Sequence, residues 1–145
     1  MRVLRIGLVG LAMAIGLLVT AVAAEAHHSF AMYDHNRTVT LRGTVTKFQW
    51  TNPHAYLELN VADENGTVTH YSIEMTSINM MRRIGWKSNM MQPGDKVEAV
   101  MTPLLDGRDG GLLLEVTLAN GQLIKTGVPA EHTFKRTPEA VIGVY

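Results

Sequence analysis

From Thr38 to Trp50 the chain alternates strictly, and this stretch constrains the fold more than any other. Val39, Leu41, Gly43, Val45, Lys47 and Gln49 fall on one line, and Thr40, Arg42, Thr44, Thr46, Phe48 and Trp50 on the other. A period of two among β-branched and aromatic residues is the mark of a strand. This one is longer than the usual strand of about 5–6 residues, so in a small domain it has to bend, and Gly43 is the expected bulge or bend. Thr51-Asn52-Pro53 ends it, because proline brings no donor to a central ladder. His54 to Ala62 alternates again, and Asp63-Glu64-Asn65-Gly66 carries the Asn-Gly pair that reverses a hairpin. Thr67 to Met75 follows as a third strand.

Ser77 to Ile84 then reads as one or two helical turns, capped by Thr76 or Ser77 and ended by Gly85. Gln92-Pro93-Gly94-Asp95 leads into a fourth strand, Lys96 to Thr102. Leu112 to Leu118 and Gln122 to Lys125 form a last hairpin around Asn120-Gly121. The order predicts a mainly β chain folded as a small OB-like barrel of five to six strands, with one short helix between strands 3 and 4. A bent first strand suits closure of such a ring. Strand order alone does not dictate closure, and an open sandwich with the same strand count is the alternative. From Gly127 to Tyr145 no period persists, so a draped or mobile tail is expected there.

The first 26 residues have a different character. Arg2 and Arg5 precede an apolar run from Ile6 to Ala24, and Ala24-x-Ala26 supplies the small residues a signal peptidase requires. The expectation is a cleaved secretory signal over residues 1–26, an arm over 27–37, a β-domain over 38–126, the tail over 127–145, and a periplasmic location. An uncleaved membrane anchor and cleavage after Ala23 are the alternatives. Otherwise the membrane enters only through the signal before cleavage. Removal of residues 1–26 leaves about 119 residues, enough for one domain with a single core. The signal carries away two of 13 Lys/Arg and one of 13 Asp/Glu. No polybasic run survives, which argues against nucleic-acid binding. Absence of cysteine excludes disulfides and thiolate metal sites.

Several motifs are distributed along the chain: His27-His28-Ser29-Phe30, Tyr33-Asp34, Gly43-Thr44-Val45, Trp50-Thr51-Asn52-Pro53-His54, Ile73-Glu74, Gly85-Trp86 and Pro93-Gly94-Asp95. Together they resemble an uncharacterised family of small exported bacterial proteins whose mature chains open with His-His-Ser-Phe and carry Trp-x-Asn-Pro-His. The resemblance covers nearly the whole mature domain. It implies a compact periplasmic β-barrel and no activity.

The residues themselves point to a metal. Cleavage after Ala26 would make His27 the first residue, with a free α-amine and an imidazole a fixed distance apart. Such a terminus closes a chelate ring, and a second imidazole opposite completes a three-nitrogen set that suits copper. Cu²⁺ binds nitrogen sites most tightly among first-row divalent ions. His54 is the expected third ligand, with His28 or Asp34 nearby. The site resembles the terminal-histidine copper sites of periplasmic copper carriers and polysaccharide monooxygenases in the terminal residue alone. An extended arm from His27 to Arg37 spans at most about 33 to 36 Å, against about 40 Å for a straight strand from Thr38 to Trp50. A bent strand therefore lets the arm reach the Asn52-Pro53-His54 turn. Pro53 restrains the backbone before the ligand.

Blander assignments compete for each residue. His27 and His28 read equally as polar residues of a frayed terminus, and His54 as a strand-initiating residue bonded to a carbonyl. His35 and His70 are weaker ligand candidates, and His132, in the tail, reads as incidental. Met80-Met81 and Met90-Met91 are expected as core and rim packing more than as Cu(I) ligands, since adjacent residues do not share a helix face. Trp50 and Trp86 are expected as core anchors. Asp34 and Glu74 are the candidate acid-base groups, yet no nucleophile elbow, phosphate loop or His-Glu-x-x-His motif accompanies them, and enzyme chemistry is not favoured. The leading reading is a copper carrier or sensor. The competing one is a metal-free OB-type adaptor for a peptide, glycan or envelope protein partner.

Overall fold

The computed structural model describes residues 30–128 and 138–144. The expected signal peptide, His27, His28 and His132 lie outside them. The chain divides between Met32 and Tyr33 into two units, and the second carries the fold. Among the described residues seven strands run in the order β1 (Thr38–Gln49), β2 (Tyr56–Ala62), β3 (Val68–Glu74), β4 (Lys96–Pro103), β5 (Gly110–Thr117), β6 (Leu123–Lys125) and β7 (Pro138–Ile142). The helix among the described residues, α1 (Ile78–Arg83), stands between β3 and β4.

The strands close on themselves. β2 pairs with β3, β3 with β5 in parallel, β5 with β4, β4 with β1, and β1 back to β2. This five-stranded ring with its helix between β3 and β4 is the OB-like arrangement that the strand order predicts. β6 adds to β5 and β7 to β1.

Local chemistry explains the turns. Asp63 Oδ1 accepts from the amides of Asn65 (2.9 Å) and Thr67 (2.8 Å), and Gly66 takes a positive φ, so the β2–β3 turn is held by its own side chain. Ser77 caps α1 by accepting from the Met80 amide, and Gly85 follows in a left-handed conformation. Leu41, Val45, Leu57, Leu59, Ile73, Met75, Met101 and Leu113 from the strands and their ends form one buried cluster with Met81, Trp86 and Met91. Each methionine pair is split as expected. Met81 and Met91 are buried, whereas Met80 is exposed and Met90 is partly buried against the core.

Two expectations need correction. The alternation of β1 does not run straight through, because the register with β2 shifts between Val45 and Lys47. This bulge inserts one residue, Thr46, whose hydroxyl donates to the Glu58 carbonyl. The phase therefore inverts. Phe48 and Trp50 join Val39, Leu41 and Val45 on the core side, while Lys47 turns out to solvent. Gly43 is not the bulge; it is a point where β2 crowds β1, and a Cβ there would lie 2.8 Å from the Asn60 carbonyl oxygen.

The segment expected as a tail also contains a strand. β7 runs parallel to the first half of β1, from Thr38↔Pro138 to Leu41↔Ile142, and Val144 then bridges to Ala62. It fills the edge of β1 that β2, pairing only from Thr44 onward, leaves open. Gly143 sits at the fork. Its φ of 103° is unfavourable for other residues, and an added Cβ would collide with the Arg42 carbonyl and with Val61. Gly143→Ala is thus expected to cost about 1–3 kcal/mol and to release β7. Hydrogen exchange should then accelerate at those amides of residues 38–42 that face β7, while the ones facing β4 and those of β2 and β3 keep their protection. Unchanged exchange along β1 would contradict this account.

Candidate functional site

The outward face of the β2–β3 hairpin is polar. Leu57, Leu59, Val61 and Ile73 point into the ring, so Tyr56, Glu58 and Asn60 lie outside, opposite Glu74, Ser72 and His70. Two clusters result. In the middle of the hairpin Glu58 accepts from Gln49 Nε2 (2.8 Å) and Ser72 Oγ (3.1 Å), and His70 bridges Glu58 and Asn60 at 3.1 and 3.0 Å. Both ring nitrogens of His70 are thereby engaged, so it is no ligand in this arrangement.

The second cluster, at the end of the hairpin, centres on Glu74. Its Oε2 accepts from the hydroxyls of Tyr33 (2.9 Å) and Tyr56 (3.2 Å), and its Oε1 lies 2.5 Å from His54 Nδ1. Tyr56 is placed by register, directly across from Glu74. His54 follows a cis Asn52–Pro53 bond and precedes Ala55, whose amide and carbonyl extend the hairpin ladder to Thr76 and Met75. Tyr33 comes from the arm, which is pinned to the end of β4. Tyr33 bridges to Leu104, the Asp34 amide donates to the Pro103 carbonyl, and Thr102 Oγ1 donates to the Asp34 carbonyl at 2.7 Å.

Three donors converge on one carboxylate, which has only acceptors to offer. Nδ1 of His54 therefore carries its proton toward Glu74, and the lone pair is left on Nε2. Among the described residues Nε2 has no hydrogen-bond partner, and the side chain is 36% exposed. An imidazole so fixed is what a metal ligand requires, since ligating histidines generally donate their other nitrogen to a carboxylate or carbonyl.

Of the predicted ligands, His54 stands in this cluster. Asp34 does not bond to it. The carboxylate of Asp34 turns back to accept from the Asn36 amide at 3.1 Å, closing its own turn. Its neighbour Tyr33 reaches Glu74 instead, because successive residues of an extended chain face opposite ways. Among the described residues no group of three His, Asp or Glu side chains converges. Tyr33 and Tyr56 were not anticipated as site residues. The signal for Tyr33 was its place in the Tyr33-Asp34 motif, and for Tyr56 its position across from Glu74.

A model of a family of unknown function, DUF6152, matches residues 14–115, a span that contains the whole cluster. The chain belongs to that family. No curated protein matches it. Among solved structures, the mitochondrial single-stranded DNA-binding protein Rim1 from S. cerevisiae is similar, with a TM-score of 0.42 and 12% identity over 63% of this chain and 98% of that one. Likeness at that level says nothing of what this chain binds.

Burial, then the charge of Glu74 and the bond to it, push the Tyr33 hydroxyl far above its ordinary pKa of 10.0. Tyr56 is raised by the same causes, and Tyr71 by burial and by Asp109. A tyrosine raised in the folded state favours folding fully below its unfolded pKa. The benefit is lost as pH climbs beyond that value, because the unfolded chain ionises first. Urea unfolding of the metal-free protein should show stability steady to about pH 10 and falling above it. Tyr33→Phe should lose about 1 kcal/mol near pH 8 but decline less steeply above pH 10. Parallel declines in the two proteins would refute the assignment.

Proposed function

We propose that the protein is exported to the periplasm and binds a metal ion, copper before others, as a carrier or sensor. His27, made amino-terminal by signal cleavage, contributes its amine and Nδ1. His54 contributes Nε2, with His28 nearby, while the Asp34 carboxylate stays engaged with the Asn36 amide. The single observation that carries this reading is the bond from His54 Nδ1 to Glu74, which leaves Nε2 available to a ligand-seeking ion. Chain length supports it as well. Tyr33 meets the same carboxylate that holds His54, and His27 lies six residues before Tyr33, a span of at most about 20 Å. A nitrogen donor set without thiolates favours Cu²⁺.

The roles divide by chemistry. His27 and His54 are ligands. Glu74 is a positioning residue that fixes the His54 tautomer, and Tyr33 and Tyr56 hold Glu74 in turn. Coordination requires the terminal amine to lose its proton, so affinity should fall as pH drops below the amine's reference pKa of about 7.7–8.0.

Calorimetric titration of the protein processed to begin at His27 should give one Cu²⁺ per chain. An extra glycine before His27 should abolish the chelate and weaken binding at least about tenfold, and His54→Ala should do likewise. Glu74→Gln should weaken binding about 10- to 100-fold while leaving one-to-one stoichiometry, with the fold checked by thermal melting. Affinity indifferent to the added glycine would refute the terminal chelate, and affinity indifferent to His54→Ala would remove the Glu74 cluster from the site.

A further inference from the structure

Away from the Glu74 cluster, an open groove of about 400 Å³ runs between β6 and the segment that follows α1. Ile84, Gly85 and Met90 line one side and Leu123, Lys125 and Gly127 the other. Ile84 is 43% exposed and Leu123 52%, with Met80 also exposed nearby in sequence. Large apolar side chains left this open on a small exported domain mark a surface that something covers.

Charge narrows the choice. Residues 78–92 and 118–127, which build the groove, contain Arg82, Arg83, Lys87 and Lys125 and not one Asp or Glu, in a chain whose formal charge is zero. None of these four cations is in an ion pair among the described residues. The groove is therefore lined by apolar side chains together with Lys125 and no carboxylate, and the segments that carry it add three more cations, a balance complementary to an acidic amphiphile.

The backbone narrows it further. Leu118 N donates to the Gln122 carbonyl, and Thr126 N donates to the Leu114 carbonyl, so the even positions of β6 face β5. Leu123 and Lys125 therefore turn their backbone groups away from β5, and Trp86 Nε1 confirms the direction by donating to the Lys125 carbonyl at 2.9 Å. The amide and carbonyl of Leu123 and the amide of Lys125 remain without a backbone partner among the described residues. A lipid tail cannot satisfy such groups, whereas an added strand can.

We propose that this groove captures an extended acidic segment of a partner protein, added as a strand along Leu123–Lys125. Alternate apolar side chains of that segment enter the groove over Ile84 and Leu123, and its carboxylates meet Lys125, Lys87 and the arginines of α1. The site shares no residue with the proposed copper site, and its test is run in EDTA so that the two stand or fall separately.

The probe is a synthetic peptide alternating leucine with aspartate, compared with its leucine–lysine counterpart and with phosphatidylglycerol vesicles. Amide NMR should show the acidic peptide shifting Leu123, Lys125 and the Trp86 indole, and the basic peptide leaving them unmoved. Leu123→Asp should abolish the shifts, and thermal melting checks its fold. Lys125→Glu should weaken the acidic peptide about tenfold and admit the basic one, which keeps the test decisive should Leu123→Asp fail to fold. Equal response to both peptides, or shifts mapping elsewhere, would overturn the proposal. Vesicle binding that is lost on Lys125→Glu, with the acidic peptide inert, would overturn it in favour of a membrane surface.

Discussion

A strand has two edges, and β1 serves three neighbours with them. β4 takes one edge along Val39–Thr44, while the other is divided between β7 and β2. The division is possible because β1 changes character midway: Gly43 lets β2 approach, and the bulge at Thr46 turns the strand and adds twist. Ring closure follows from that bend. So does the placement of Phe48 and Trp50, whose rings meet edge to face at a centroid distance of 5.6 Å, with Trp86 6.1 Å from Phe48. The same bend delivers the Trp50-Thr51-Asn52-Pro53-His54 turn to the end of the β2–β3 hairpin.

At that end the chemistry is set by one side chain. Glu74 is a partly buried carboxylate that three separate segments address: the arm through Tyr33, the turn through His54, and β2 through Tyr56. Burial of a charged group is tolerable only when its lone pairs are satisfied, and here every bond also orients the group that makes it. The cluster thus fastens the arm to the ring and fixes an imidazole in one tautomer.

Much of this was legible in the sequence. Alternation, the Asn65-Gly66 turn and the Ser77 cap located the strands and the helix to within a residue or two, because each depends on local chemistry. What failed was non-local. A bulge adds a residue without altering composition, so a straight count through Thr46 put Phe48 and Trp50 on the wrong face, although two aromatics in line with Thr40, Arg42 and Thr44 were a warning. β7 is short and lacks a turn signal, and only the vacant edge of β1 gives it a reason to be a strand. Asp34 was expected near the site because carboxylates bind metals, and its neighbour Tyr33 was not considered. The choice between adjacent residues was made instead by backbone direction, once the arm was tied to Pro103. His54 was singled out from the sequence, but its partner Glu74 lies twenty positions away and is brought opposite Tyr56 by the register of the hairpin.

Closure of the ring leaves β6 an outer edge of only three residues, on which the Trp86 indole already takes the Lys125 carbonyl, and Lys125 stands there beside a groove with no carboxylate in its lining. Two identical molecules meeting edge to edge there would bring like charges together over too few backbone bonds to hold them. The arrangement that makes this face receptive to an oppositely charged strand therefore also guards against fibrous self-stacking, which is useful for a chain with no disulfides to limit how far it opens.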